Sequence, residues 1–175
     1  AADLAAHQLI VKALTALTPE LPILSEEAAD ISWETRKNWQ RYWLVDPLDG
    51  TKEFIHRNGE FTVNIALIEN GLPIWGAIYV PVTQTFYFGM EGEGAFKQVG
   101  NGELQSIFAR KNAENLIAVG SKSHAKPEET SFFNSVGVSQ IVSVGSSIKF
   151  CLIAEGNADV YFRSGPTMEW DTAAG

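Results

Sequence analysis

The sequence predicts a mixed α/β (α+β) fold in two parts, and three observations carry that reading. From Phe61 to Phe108 the apolar residues fall in strand-length runs separated by turn signals at Asn70-Gly71, Gly89, Gly92 to Gly94 and Gly100 to Gly102, the pattern of an antiparallel meander. After Asn115 strand-like and helix-like runs alternate, as in an α/β unit. Ahead of both, Trp43-Leu44-Val45 reads as a strand covered on both faces that ends in two carboxylates, Asp46 and Asp49. A boundary near Ala118 gives an amino-terminal α+β domain over 1–118, holding the antiparallel sheet and the carboxylates, and a partial carboxy-terminal α/β domain over 119–175.

The elements follow in order. Asp3 can cap a helix from about Leu4 to Leu17, whose stripe runs Leu4, His7, Ile10 or Val11, Leu14 and Leu17, and Pro19 and Pro22 end it. Ile23-Leu24 leads as a short strand into Ser25-Glu26-Glu27. The polar stretch from Ala28 to Arg41 has no period and suits a loop with a helical turn, where a mobile flap would fit. Pro47 lacks a backbone N–H and is expected to stop the ladder after Asp46. In the second part, strands are expected at Leu116 to Val119, Ile141 to Val144 and Val160 to Phe162, and helices at Pro127 to Val136 and Ser147 to Glu155. Trp170 to Gly175 reads as the opening of a small-residue helix, so both ends of the chain look cut.

Composition narrows the function. The 175 residues are 45% hydrophobic, enough for a sizeable core, and the net charge of −8 argues against a broad face for a nucleic-acid polymer. It does not forbid a small phosphorylated ligand held by local basic residues. No apolar run approaches the ~20 residues needed to span a bilayer, and no signal peptide is visible, so the expected compartment is cytoplasmic. Cys151 is the only cysteine and lies in an apolar run, which excludes an internal disulfide and points to a buried, inert thiol.

The chemistry concentrates in Asp46-Pro47-Leu48-Asp49-Gly50-Thr51. Two carboxylates and the Leu48 carbonyl at a kink form an all-oxygen set suited to Mg²⁺, and Gly50 and Thr51 offer N–H groups where a helix begins. An Asp-Pro turn followed by an Asp-Gly turn explains the proline and glycine but not the paired carboxylates after a buried strand. Other candidates are weaker alone. Glu26 and Glu27 could join the cage or lie in solvent, and Thr51 and Asp3 each suit a helix cap as well as a water-orienting group. Gly145-Ser146-Ser147-Ile148-Lys149 could receive a ligand oxygen or be a routine strand-to-helix connection. Arg163 could contact an anion or sit on the surface, and Asp171 could be a further oxygen ligand or a cap.

Leu24-Ser25-Glu26-Glu27, Asp46-Pro47-Leu48-Asp49-Gly50-Thr51 and Trp170-Asp171-Thr172-Ala173-Ala174-Gly175 together resemble the lithium-sensitive, Mg²⁺-dependent phosphatases of the inositol monophosphatase superfamily. Trp43 to Pro73 and Ser147 to Gly156, especially Gly50 to Ile55 and Arg57 to Ile68, are most similar to its bacterial 3′(2′),5′-bisphosphate nucleotidases. The resemblance implies a layered αβαβα sandwich, here incomplete at both termini, and a small nucleotide bisphosphate as substrate. It implies Mg²⁺ ligands at Glu26, Asp46, Leu48, Asp49 and Asp171, with Glu27 near another cation or its water, and a water-activating pair at Asp3 and Thr51. Substrate contacts are implied at Glu26, Gly50, Thr51, Ser146, Lys149, Arg163 and Asp171, less firmly at Ser121 and His124. The implied reaction is removal of the 3′-phosphate of adenosine 3′,5′-bisphosphate to give AMP, in sulfur assimilation or nucleotide turnover. The alternatives are an inositol or sugar-phosphate phosphatase, and a non-catalytic fragment that binds only metal or nucleotide. A homodimer and a peripheral association with the inner membrane are compatible with the resemblance.

Overall fold

The computed structural model describes residues 1–111, 114–122 and 126–175. Its first part runs α1 (Ala2–Leu17), β1 (Ile23–Ser25), a 3₁₀ turn (Glu26–Ala28), α2 (Trp33–Arg36), β2 (Arg41–Asp49), α3 (Thr51–Ile55), β3 (Thr62–Glu69), β4 (Leu72–Val80), β5 (Thr85–Met90), β6 (Gly94–Val99) and β7 (Gln105–Ile107). The second runs β8 (Leu116–Ser121), α4 (Pro127–Ser135), β9 (Val138–Val144), α5 (Ile148–Ala154), β10 (Val160–Tyr161) and a 3₁₀ turn (Glu169–Asp171). The first seven strands form one sheet in sequence order, antiparallel except for the parallel β1–β2 pair. The last three form a parallel sheet in the order β10-β8-β9.

Period-two alternation on β2 explains how the large sheet is covered twice. Trp43 and Val45 pack with Leu14 and Leu67, beside Ile10 and Ile23, so that face lies under α1. Leu44 points the other way and packs with Leu24, Ala66, Ile68 and Trp170. The same strand therefore joins α1 to the last residues of the chain. A separate core of Val119, Val144 and Ala158, with Ile148 and Leu152 of α5 packed against it, holds the small sheet together. Cys151 is buried on α5, and burial pushes its thiol up to about 12. No helix among the described residues is long and apolar enough to cross a membrane.

Several expectations change. Pro47 does not end the strand: β2 continues through it to Asp49, with a register shift between Asp46 and Asp49. Asp3 is not the cap of α1 but lies in its first turn, with Ala1 at the cap position. The chain enters a 3₁₀ turn at Glu169–Asp171 rather than an α-helix at Trp170. A division at residue 118 would cut β8; we propose that any boundary lies in the connection before Leu116.

Candidate metal and phosphate site

Residues three apart on a regular strand face opposite sides of the sheet. On β2, however, Asp46 pairs with Asn64 and Asp49 with Thr62, while Pro47 and Leu48 have no register partner on β3. Three steps on β2 match two on β3, which defines a β-bulge, and the extra residue returns Asp49 to the face of Asp46. That face is also the face of Leu44, which packs against Trp170. The residue after Trp170 is thereby carried to the same place, and one carboxylate oxygen each from Asp46, Asp49 and Asp171 lie within 4.8 Å of one another.

Electrostatics show how poorly these carboxylates fit each other without a cation. Asp46 is 1% exposed; its Oδ1 accepts from the Leu48 N–H at 3.0 Å, and its Oδ2 has no partner among the described residues. Burial first, then the charges of Asp49 and Glu26, push its carboxyl up to about 9. Burial also raises Asp49, opposed by the Ser147 hydroxyl, which donates to Asp49 Oδ2 at 2.5 Å. Thr62 Oγ1 and Asn64 Nδ2 donate to the same oxygen at 3.4 Å. Glu26 stands beside Asp46, raised by burial although the contact with Asp46 opposes it. Burial lowers Lys149, and Asp49 opposes that shift. An orphaned buried oxygen within a set of hard oxygen donors fits a divalent cation of the Mg²⁺ type.

Beside the carboxylates lies a pocket of about 270 Å³, lined by Asp49, Gly50, Thr51, Ser121, Ser146, Lys149, Arg163 and Asp171 among others. Gly50 adopts φ +89°, a left-handed turn that opens α3 at Thr51. Ser146 has φ +49°, and its buried Oγ has no partner among the described residues. Lys149 is 5% exposed; its Nζ donates to the Ser146 carbonyl at 2.5 Å and lies 5.7 Å from the centre of the Tyr161 ring. Arg163 donates to the Pro166 carbonyl at 2.9 Å and stands beside Tyr161, whose hydroxyl pKa burial raises and Arg163 opposes. Two cationic side chains thus line the pocket together with Asp49 and Asp171.

The two sheets are tied at the pocket by Glu60, whose Oε2 accepts from the Gly145 N–H at 2.8 Å and whose Oε1 pairs with Lys122 at 2.9 Å. A Cβ on Gly145 would lie 2.6 Å from Glu53 Cγ and 2.8 Å from the Glu60 carbonyl oxygen. Gly145→Ala is therefore expected to cost about 1–3 kcal/mol in denaturant unfolding and to shift Ser146. An unchanged midpoint would show that the approach is not tight.

Asp46, Asp49 and Asp171 are brought together, with Glu26 against Asp46 and with Gly50, Thr51, Ser146, Lys149 and Arg163 around the adjoining pocket. Asp3 is not among the residues that line the pocket; its carboxylate accepts from the Ala1 amino group at 2.7 Å and from the Leu4 N–H at 2.9 Å. His124 lies outside the described residues. Asn64 and Thr62 are candidate-site residues that the sequence reading missed, and Ser147, expected only within a segment that could receive a ligand oxygen, instead donates to Asp49. Asn64 is 1% exposed, donates to Ser147 Oγ at 2.6 Å, and leaves its own Oδ1 without a partner among the described residues. The available signal was Thr62 and Asn64 at alternate positions of an otherwise apolar strand.

The sequence pattern of the inositol monophosphatase family matches residues 1–175. The chain belongs to that family. Its mixed α/β architecture is the one the motifs implied. The 3′(2′),5′-bisphosphate nucleotidase CysQ of Salmonella typhimurium is 52% identical over 175 residues, covering all of this chain and 70% of that one. The crystal structure of CysQ from Bacteroides thetaiotaomicron, described as a bacterial member of the inositol monophosphatase family, superposes with a TM-score of 0.88 at 45% identity. It spans 98% of this chain and 69% of its own. An inositol monophosphatase from Anabaena, at 24% identity and TM-score 0.82, shares the fold over 98% of this chain and 68% of its own.

Proposed function

We propose that this chain is a 3′(2′),5′-bisphosphate nucleotidase that removes the 3′-phosphate of adenosine 3′,5′-bisphosphate. The observation that carries the reading is the convergence of Asp46, Asp49 and Asp171 beside a pocket with Lys149 and Arg163. A single phosphate needs only the carboxylate-held cation and the turn at Gly50 and Thr51. The additional cations suit a ligand with a second phosphate. The nucleotidase relatives support the same substrate.

Asp46, Asp49, Asp171, Glu26 and the Leu48 carbonyl would hold Mg²⁺. Bound there, Mg²⁺ supplies Lewis-acid stabilisation of phosphoryl charge and lowers the pKa of water. Ser147, Thr62 and Asn64 fix the Asp49 carboxylate by donating to it. Thr51 orients the attacking water, with Asp3 as the partner the resemblance implies once its carboxylate turns from the Ala1 amino group, and the N–H groups at Gly50 and Thr51 receive non-bridging phosphate oxygens. Water forms the new P–O bond as the bond to the ribose 3′-oxygen breaks; that oxygen leaves as the hydroxyl of AMP, with a proton derived from the water. Glu26 and Asp171 meet substrate from the cation side, and Ser146, Lys149 and Arg163 meet its nucleotide part.

The test is phosphate release with Mg²⁺ from adenosine 3′,5′-bisphosphate and, separately, from inositol 1-phosphate. Release from the nucleotide, inhibited by Li⁺, is expected. Release from the inositol ester alone would overturn the substrate assignment, and none from either would leave a chain that binds without turning over.

A further inference from the structure

His7 is a histidine on the buried side of α1 that the proposed reaction does not use. It continues the stripe that packs Leu14 and Ile10 onto β2, one turn closer to the helix start. Its Nδ1 is hydrogen-bonded to Ser25 Oγ at 2.8 Å. Ser25 is 1% exposed, pairs in register with Val45, and immediately precedes Glu26. It also occupies the N-cap position of the 3₁₀ turn Glu26–Ala28, where a serine hydroxyl ordinarily accepts from the turn's own N–H groups. Here no such bond forms, and the hydroxyl is committed to His7. The next residue up the stripe, four before His7 and about 6 Å along the axis, is Asp3.

We infer that His7 is a positioning residue for the cation site. Its bond to Ser25 fixes the start of α1 against the end of β1, as the bond from Trp43 Nε1 to Thr18 Oγ1 at 2.8 Å fixes the helix's other end, and so sets Glu26 on one side and Asp3 on the other at matched heights. β1 lies beside β2, so the residue after Ser25 is held level with Asp46, the residue after Val45. The apolar contacts of Leu14 and Ile10 hold α1 down but do not determine how far it slides along the strand. Directional hydrogen bonds do, and the one nearest Glu26 is that between His7 and Ser25.

The inference rests on the proposed cation site, and the test separates the two. Mn²⁺ binding to the whole chain is measured by electron paramagnetic resonance, which needs no turnover, alongside thermal unfolding. His7→Leu is expected to weaken Mn²⁺ binding about tenfold or more, the scale for residues that orient metal ligands. His7→Asn sets an amide nitrogen or oxygen where Nδ1 sits, two bonds from Cβ, and is expected to bind within about twofold of wild type. Ser25→Ala removes the partner from the other side, so it weakens binding without altering α1 even if His7→Leu fails to fold. Leu14→Ala lowers the unfolding temperature while leaving affinity near wild type. Wild-type affinity in folded His7→Leu and in Ser25→Ala, or an equal loss in Leu14→Ala, overturns the positioning role and leaves the site standing. A wild-type chain that binds no Mn²⁺, or an Asp49→Asn chain that still does, overturns the site and the inference with it.

Discussion

Replacing Asp49 by asparagine is expected to make the cation-free chain more stable and at the same time abolish its response to Mg²⁺. Desolvation and the neighbouring Asp171 charge raise the Asp49 carboxyl, and Asp49 in turn is the largest charge acting on Asp46. Asparagine removes that charge yet keeps an oxygen to accept from Ser147, Thr62 and Asn64, so little hydrogen bonding is lost. The gain is about 1–2 kcal/mol near pH 8, the scale of a tenfold change in a carboxylate's proton affinity. The wild-type chain should instead gain about 2.7 kcal/mol when Mg²⁺ is present at 100 times its dissociation constant, and the variant nothing. The pH dependence has a definite sign. The folded state holds the Asp46 proton more tightly than the unfolded state, whose carboxyl titrates near the ordinary 3.8, so this stability is fully present below 3.8 and lost as pH rises through about 9. Cation-free wild type should therefore lose stability across that window, and saturating Mg²⁺ should reverse most of the loss at its upper end. Urea unfolding of both chains at several pH values, with and without Mg²⁺, measures all of this; an equal response to Mg²⁺ in the two chains would remove Asp49 from the site.

How much of this site was legible in the sequence depends on whether the decisive contact is local. Asp46 and Asp49 could be read as partners because they are three residues apart after an apolar run. The device that makes them partners could not, since the bulge exists only in the register between β2 and β3. A proline in a strand reads as a stop because it removes a donor; in this chain the stop is absorbed where two residues go unpaired. Ser147 was visible as a helix start and as part of a segment that could receive a ligand oxygen, but not as a partner of Asp49, which its hydroxyl meets across 98 residues. His7 read only as one position of the helical stripe for the same reason, its partner being 18 residues away on a neighbouring element. The meander was legible because its turns carry their own Gly and Asn signals. Asp171 read locally as either an oxygen ligand or a cap, and only the resemblance favoured the first, as the contact that delivers it belongs to Trp170 packing on a distant sheet.

That packing makes Gly76→Ala the substitution with the largest expected effect far from the site. Gly76 lies in β4, paired with Ala66 on one side and Gly89 on the other. A Cβ there would sit 2.5 Å from the Ala174 carbonyl oxygen and 3.0 Å from its C and Cα. All three are backbone atoms, so no side-chain rotation relieves the clash, and either β4 or the segment after Trp170 must move. β4 is pinned by a ladder on both edges; the segment is the freer of the two. Lifting it strains Trp170, 8% exposed against Leu24, Leu44, Ala66 and Ile68, at a cost of about 1–3 kcal/mol. It also carries away Asp171, whose Oδ2 is held by Thr167 Oγ1 at 2.8 Å and the Met168 N–H at 3.0 Å, both in the same segment. The variant should therefore unfold earlier and bind Mg²⁺ more weakly, whereas Asp171→Asn should weaken Mg²⁺ binding with little change in unfolding. If both act on affinity through the position of one carboxylate, the double variant should bind no more weakly than the weaker single one, because effects on a shared partner do not add. Additive losses in calorimetric titrations would mean that Gly76 reaches the cation through the sheet itself, by displacing β3 and the Asn64 and Thr62 donors that steady Asp49.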